Sequence, residues 1–128
     1  MDLVHSDYWA AYEGEQSIDL NGCSPGRIAQ TLAIEPGRQY TVAFSYAGNP
    51  VSDRGTKRFH VELDGQNIGG FSFDTSATDT TRMGWTRGQV GFASTEPSIE
   101  LAFASDSQES SCYGPALDNV TVTPLSIP

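Results

Sequence analysis

The 128-residue sequence has few of the residues on which metal, redox and nucleic-acid chemistry depend. It contains two histidines, two cysteines and seven basic residues against sixteen acidic ones, which gives a net charge of −9 and a pI near 4.3. So acidic a chain repels phosphate backbones and anionic lipid surfaces. We therefore expect neither nucleic acid nor a membrane surface among its partners.

Long apolar runs are also missing, as is any segment with a helical period. A membrane-spanning helix needs about 20 consecutive apolar residues, which this sequence does not offer, so we expect no insertion into a membrane. No signal peptide or sorting tail is recognisable. If the protein is secreted, we expect those segments to lie outside this sequence.

Motifs of known catalytic chemistry are absent from the sequence. Neither His5 nor His60 belongs to a nucleophile or zinc motif, since there is no Gly-x-Ser-x-Gly and no His-Glu-x-x-His. The carboxylates are numerous, but no spacing singles out a glycosidase pair among them. We predict that the protein is not an enzyme.

The two cysteines, Cys23 and Cys112, lie in turn-like contexts and form no Cys-x-x-Cys motif. One interpretation is two free, inert thiols. The interpretation we favour is a disulfide between the turn after the second strand and the start of the last one. In the chain-entropy model, a disulfide that closes the long loop from residue 23 to residue 112 contributes about 4–5 kcal/mol of stability. Such a bond indicates an oxidising compartment.

Short alternating runs of apolar and polar residues, separated by turn signals, dominate what is present. Residues 40–46 alternate large apolar with small or polar side chains, and Asp64-Gly65 is a strong hairpin signal. In residues 16–20 the pattern places Ser17 and Asp19 outward. In all, such patterns predict about nine short strands, the last over residues 117–122. They predict an all-β, antiparallel sandwich of jelly-roll type, in one domain over residues 1–128.

The last predicted strand carries an acid among apolar residues. Strict alternation places Leu117, Asn119 and Thr121 on one face and Asp118, Val120 and Val122 on the other. A carboxylate beside two valines is costly unless it is hydrogen-bonded, paired or bound to a metal. We favour Asp118 as an acceptor of backbone N–H groups. The alternative is a ligand of a structural calcium ion, the one cofactor we consider.

Within the same strand, Asn119-Val120-Thr121 matches the acceptor motif for N-glycosylation. A position in the middle of a strand argues against its use.

Sugar binding needs flat aromatic rings and fixed polar groups, because pyranose C–H faces stack on rings while hydroxyls seek hydrogen-bond partners. The aromatic candidates are Tyr8, Trp9, Tyr12, Trp85 and Tyr113, and the polar candidates are Asn49, Asp79, Arg82 and Asn119. Core packing is the better interpretation of the two tryptophans. Tyr12 and Tyr113 lie in loop-like contexts. The predicted ligand-binding set is Tyr12, Asn49, Arg82, Trp85 and Tyr113.

Several motifs together resemble one known family, the choice-of-anchor C family. These motifs come in the same order as in that family: Asp2-Leu3-Val4, Tyr8-Trp9, residues 17–22, 24–26, 40–44 and 47–50, Met83-Gly84-Trp85 and residues 114–120. That group is related to plant cell-wall proteins with a galactose-binding-like sandwich. The resemblance spans nearly the whole chain. It implies a secreted or surface-displayed sandwich similar to carbohydrate-binding modules, without catalytic activity.

We therefore expect a non-catalytic, extracellular or cell-surface module that binds a cell-wall or matrix polysaccharide. A second expectation comes from a departure from the resembled family. Its members usually begin with a strand ahead of the counterpart of Asp2-Leu3-Val4, and that strand lies beside the last one. Its absence leaves residues 117–122 a partly unpaired edge, which proteins normally avoid, and removes ligands that calcium sites in such folds often use.

The alternative function is thus a structural subunit of an extracellular homopolymer. A strand from a neighbouring copy, either Asp2-Leu3-Val4 or the tail 123–128, would pair with the open edge. Such head-to-tail contacts propagate into a filament or tube unless they close into a ring. A complete monomer whose first residues pair differently is the simpler possibility.

Overall fold

Nine β-strands make up the regular structure of this protein, in a computed structural model that describes residues 1–14, 16–21, 26–51, 55–106 and 113–125. Those residues contain no helix, and hence none long and apolar enough to cross a membrane. The strands are β1 (Asp2–His5), β2 (Gln16–Asp19), β3 (Arg27–Ala33), β4 (Gln39–Gly48), β5 (Thr56–Leu63), β6 (Gln66–Asp74), β7 (Thr86–Ala93), β8 (Ser98–Ser105) and β9 (Pro115–Pro124).

The strands form two antiparallel sheets that face each other. One has the order β1-β2-β9-β4-β7 and the other the order β3-β8-β5-β6. The predicted hairpin at Asp64-Gly65 is present, with φ of 50° and 83°, as a two-residue turn of the primed type requires. The all-β sandwich predicted from the alternation is confirmed.

The core between the sheets is built around Phe44 of β4. Its ring meets Phe59, Phe71 and Phe103 of the opposite sheet edge-to-face, with centroids 5.0–5.9 Å apart. Aromatic pairs in this geometry contribute about 0.5–1.5 kcal/mol each beyond the area they bury. Gly88, opposite Phe44 on β7, makes room for the ring, because a Cβ there would lie 2.7 Å from Phe44 Cε2.

A smaller cluster covers the outer face of the five-stranded sheet. It consists of the buried residues Val4, Trp9, Ala47, Met83 and Ala116. The connection over residues 6–14 carries Trp9 onto this face, where the indole N–H donates to Ser17 Oγ at 2.6 Å. Core packing of Trp9 is confirmed. The side chains of Ser17 and Asp19 point to this outer face, and they are buried because the face is covered. The expectation that they face solvent is therefore wrong.

A bulge in β9 changes which of its residues face the core. Ser45 pairs with Asp118 but Ala43 pairs with Thr121, so the two residues between, Asn119 and Val120, oppose one residue of β4. Asn119 has a φ of 49°, the left-handed conformation that this bulge uses.

The extra residue resets the alternation beyond it. Leu117 and Val122 both pack against the main core. The expectation that Asp118 and Val122 share a face is therefore wrong, because strict alternation holds only in a strand without a bulge.

One side of β9 is mostly open. β2 pairs with it only at Ile18–Leu117 and Asp19–Ala116. From Asp118 to Pro124, the side of β9 away from β4 has no partner strand among the residues that the structure describes.

Candidate functional site

A polar cleft of about 380 Å³ opens at one end of the five-stranded sheet. It lies where β1 and β2 meet the end of β4 and the residues that lead into β9. Its lining combines aromatic, amide, imidazole and carboxylate side chains, from Leu3, Val4, His5, Tyr8, Asp19, Asn49 and Tyr113. We call it the Tyr8 cleft.

The floor of the Tyr8 cleft is a buried polar pair, Asp19 and Asn49, which are 2% and 4% exposed. Asn49 Nδ2 donates to Asp19 Oδ2 at 2.8 Å. The other carboxylate oxygen accepts the backbone N–H groups of Asn21 at 2.9 Å and Gly114 at 3.2 Å. These donors offset the cost of burying a charge and fix the floor in one arrangement.

The same pair holds the segment that carries Tyr113. Asn49 N donates to Gly114 O at 2.9 Å, so Gly114 is bonded through both its N–H and its carbonyl. Asn49 Oδ1 accepts from Val51 N at 3.0 Å. Tyr113 therefore stands on a backbone that is tied to the ends of both β2 and β4.

The opposite wall presents an exposed aromatic ring. Tyr8 is 51% exposed and follows a turn in which its N–H donates to His5 O at 2.9 Å. The neighbouring Trp9 is buried, and its ring lies 6.0 Å from that of Tyr8. Because Trp9 anchors this connection, Tyr8 is held at the surface in a defined place.

The structure brings together two of the five predicted ligand-binding residues, Asn49 and Tyr113, which both line the Tyr8 cleft. The other three do not line it. Trp85 is half-buried and donates its indole N–H to Ala10 O at 2.8 Å. Tyr12 is 45% exposed, with the Arg87 guanidinium 5.6 Å from its ring centroid.

Arg82, the fifth residue, is exposed in a turn closed by Asp79. The Asp79 carboxylate accepts from Thr81 N, Thr81 Oγ and Arg82 N at 2.8–2.9 Å. Hydrogen bonds from Thr81, and then from Arg82, hold the pKa of Asp79 below its usual value. The carboxylate is thus engaged in shaping its own turn.

Asp118 makes the hydrogen bonds that we favoured for it. Its Oδ2 accepts from Tyr12 N and Glu13 N, both at 3.0 Å, and its Oδ1 accepts from Asn119 N at 2.7 Å. Calcium takes six to eight oxygen ligands, whereas these neighbours are N–H donors. Among the described residues, no three His, Cys, Asp or Glu side chains are grouped to hold a metal. The arrangement around Asp118 does not fit a calcium site.

The predicted ligand-binding set missed five residues of the cleft, of which Tyr8, His5 and Asp19 carry aromatic or polar side chains. Tyr8 was one aromatic candidate among several, and neither His5 nor Asp19 was singled out. For Asp19 a signal existed, because an Asp at the end of a strand often closes a turn by accepting the backbone N–H two residues on. The structure has that turn, with Asn21 N on Asp19 Oδ1. Cys23 and Cys112, the predicted disulfide, lie outside the described residues.

Comparison with protein families gives one match, over residues 2–123, to the family described as "Protein of unknown function (DUF642)". Halomucin from Haloquadratum walsbyi is 31% identical over 129 residues. That match covers 100% of this chain but 1% of Halomucin, so this chain corresponds to a small part of its relative. Similarity to the choice-of-anchor C family stays an expectation.

Solved structures with the same fold include several sugar-binding modules. A family 35 carbohydrate-binding module from Clostridium thermocellum has a TM-score of 0.67 at 13% identity, over 95% of this chain and 88% of the module. The C-terminal domain of EclA, a sugar-binding protein, has a TM-score of 0.65 at 14% identity, over 91% and 84%. TmCBM61, solved with β-1,4-galactotriose, has a TM-score of 0.59 at 15% identity, over 90% and 74%. At these identities the likeness is one of fold.

Proposed function

This chain belongs to the DUF642 family of proteins of unknown function, and from that premise we propose that it is a non-catalytic module that binds carbohydrate in the Tyr8 cleft. The observation that carries the proposal is the exposed Tyr8 ring beside the buried Asp19–Asn49 floor. Proteins that share the fold, and whose names identify them as carbohydrate-binding modules, support the class of ligand.

The shape and chemistry of the cleft fit a sugar. Its volume of about 380 Å³ lies at the lower end of the range of known ligand sites. The Tyr8 ring offers a flat face for the C–H groups of a pyranose, and Tyr113 and Asn49 add polar groups to the lining of the same cleft. Because the floor is already hydrogen-bonded, little ordering is needed when a ligand binds.

The charge of the protein favours an uncharged glycan. A net charge of −9 repels uronic acids and sulfated sugars, and the cleft itself contains the Asp19 carboxylate. We infer a neutral cell-wall or matrix polysaccharide as the ligand, and hence an extracellular or cell-surface location. The match to Halomucin agrees with such a location.

Affinity electrophoresis in gels that contain neutral polysaccharides tests this function. Replacing Tyr8 with Ala removes the stacking face, and we expect about a tenfold weaker retention, which is about 1.4 kcal/mol. Tyr12→Ala is the matched control, since Tyr12 is also an exposed tyrosine but lies outside the cleft. No retention by any polysaccharide, or equal losses in the two variants, would overturn the proposal.

A second candidate function, a subunit of an extracellular filament or tube, is favoured by the open side of β9. An apolar groove of about 310 Å³ runs where β9 faces β3 of the other sheet. Its lining is Ile18, Ile28, Ala29, Gln30, Leu32, Leu101, Phe103, Leu117, Val120 and Val122. An added strand from another copy would find unpaired main-chain groups along β9 and apolar side chains below them.

The described parts of both segments that we considered as donor strands are engaged within the subunit. Residues 2–5 pair with β2, and residues 123–125 bond to β4 or to its first residue, Gln39. Residues 2–5 or 123–125 would therefore have to be released from their own subunit before they could act as a donor strand. Light scattering at micromolar concentration distinguishes the candidates. Growth of assemblies that Val122→Lys abolishes supports the filament subunit, and a monomer at every concentration excludes it.

A further inference from the structure

The acceptor motif Asn119-Val120-Thr121 lies in the bulge of β9, where the structure removes the objection that its position is mid-strand. Neither Asn119 nor Val120 has a partner residue in the register with β4. Asn119 N donates to the Asp118 carboxylate at 2.7 Å. The motif therefore occupies an interruption of the ladder.

The side chains of the motif are accessible to solvent. Val120 and Thr121 are exposed, and Asn119 is half-buried. Among the described residues, no hydrogen bond engages the side-chain amide of Asn119. On the side away from β4, no described strand covers this part of β9. Val120 lines the apolar groove but Asn119 does not, so the amide lies outside that groove.

From this geometry we propose that Asn119 is a site of N-linked glycosylation. The bulge also accounts for the residue type, because asparagine tolerates a positive φ better than most residues do. The sequence contains no other Asn-x-Ser or Asn-x-Thr motif with a residue other than proline in the middle. Modification would therefore be confined to one position.

The chemistry is a transfer of a preassembled oligosaccharide. Asn119 Nδ2 forms a bond to the anomeric carbon of an oligosaccharide carried on a lipid diphosphate. The bond from that carbon to the diphosphate oxygen breaks and the lipid diphosphate leaves with the bonding electrons, while the proton lost by the amide is released to water. Thr121 supplies the hydroxyl at the position that the acceptor motif requires.

A glycan at this position has a physical consequence for the fold. Exposed strand edges pair with other chains unless they are covered, charged or bent away. An oligosaccharide on Asn119 would be attached within the stretch of β9 that has no partner strand on its side away from β4, and its bulk would hinder another chain from pairing there. The modification thus protects the edge, whether or not the Tyr8 cleft binds sugar.

Expression of the protein through the secretory pathway of yeast, followed by intact mass measurement, tests the proposal. We expect a mass increase of one N-linked oligosaccharide, which peptide-N-glycosidase removes while converting Asn119 to Asp. Asn119→Gln and Thr121→Ala should both lack the increase. Thr121→Ser retains the motif and should keep it.

Thr121→Ala is included because Asn119→Gln could disturb folding at the bulge. Thr121→Ala removes the acceptor motif but leaves Asn119 in place. Secreted wild-type protein with unmodified Asn119 would overturn the proposal. So would an oligosaccharide that persists in Thr121→Ala.

Discussion

His60 of β5 has a carboxylate at each ring nitrogen. Asp106 lies 2.8–2.9 Å from Nδ1, and Glu62 lies 2.7 Å from Nε2. Burial lowers the pKa of His60, but the hydrogen bonds with Asp106 and Glu62 outweigh it and raise the pKa above its ordinary value. The bond from His60 is also the main cause of a lowered pKa of Glu62. The charged forms of the two side chains thus stabilise each other.

These shifts predict how stability depends on pH. The contribution of His60 is complete below its unfolded pKa of about 6.5 and is lost as pH rises through the folded value. The contribution of Glu62 is present above its unfolded pKa of about 4.3 and is lost as pH falls through the folded value. We expect the melting temperature to be highest between these two pH values.

Thermal melts at fixed ionic strength, for wild type and His60→Gln, check this dependence. The variant should lose the part of the decline in melting temperature above about pH 6.5 that comes from His60, because the side chain whose pKa is raised by folding has been removed. Equal slopes in the two proteins above that pH would contradict the role of His60.

Asp118 gives a second prediction at this scale. Asp118→Asn should lower stability by about 1–2 kcal/mol, because hydrogen bonds from Tyr12 and Glu13 to a charged acceptor are weakened. Asp7→Asn is the control, because the Asp7 side chain is 95% exposed and meets only His5 Nδ1 at 3.4 Å among the described ion pairs. An exposed pair of this kind contributes little, so we expect a change of less than about 1 kcal/mol. A chelator should leave the melting curve unchanged. A chelator-induced drop that Asp118→Asn abolishes would instead establish the calcium role.

The position of a residue was predicted well where its own hydrophobicity decides whether it is buried. It was predicted poorly where a segment distant in sequence covers it. Trp9 could be assigned to the core because a large indole near a strand is usually buried. Asp19 could not, since its environment depends on the connection over residues 6–14 folding back over the sheet. Asn119 and Val120 were assigned to alternate faces because nothing local in the sequence marked the bulge.

At the scale of elements, β4 and β7 show how one small residue permits a core. Gly88→Ala should destabilise the protein by about 1–3 kcal/mol, because the new Cβ would press on the Phe44 ring. Gly91→Ala on the same strand is the control, since its nearest neighbour would be Tyr40 O at 3.8 Å. Chemical denaturation measures both. Equal effects would mean that strand propensity, and not the Phe44 contact, decides the cost.

The existence of the strands was predictable, but their neighbours were not. Alternation and turn signals identify where strands begin and end, because both are local properties. The pairing of β2 with β9, and its end after two residue pairs, depends on contacts between distant segments. The open edge was expected from the family resemblance. The apolar groove beneath that edge is formed by side chains of both sheets, so it depends on how the two sheets pack.

At the scale of the whole molecule, the predicted disulfide ties together two parts of the chain that are far apart in sequence. If Cys23 and Cys112 are bonded as the sequence predicts, thiol titration of the denatured, unreduced protein should find no free thiol. Reduction should then lower stability by a few kcal/mol, as closure of a long loop implies. Two titratable thiols before reduction would refute the bond.

The sandwich followed from the sequence, whereas the Tyr8 cleft did not. The cleft gathers side chains from β1, the connection after it, β2, the end of β4 and the segment before β9. Asn49 and Tyr113 were recognised as candidates by residue type and loop context. Their meeting with Tyr8 and Asp19 depends on sheet order, which single-strand patterns do not contain.

Nuclear magnetic resonance titration of the isotope-labelled protein tests whether carbohydrate binds in the Tyr8 cleft. Soluble oligosaccharides from neutral cell-wall polysaccharides are added stepwise, and backbone amide shifts are followed. We predict saturable shifts around Tyr8, Asn49 and Tyr113, with little change around Tyr12 and Arg87. Shifts that centre on Tyr12 and Arg87, or no shifts with any of the sugars, would show that the Tyr8 cleft is not a carbohydrate site.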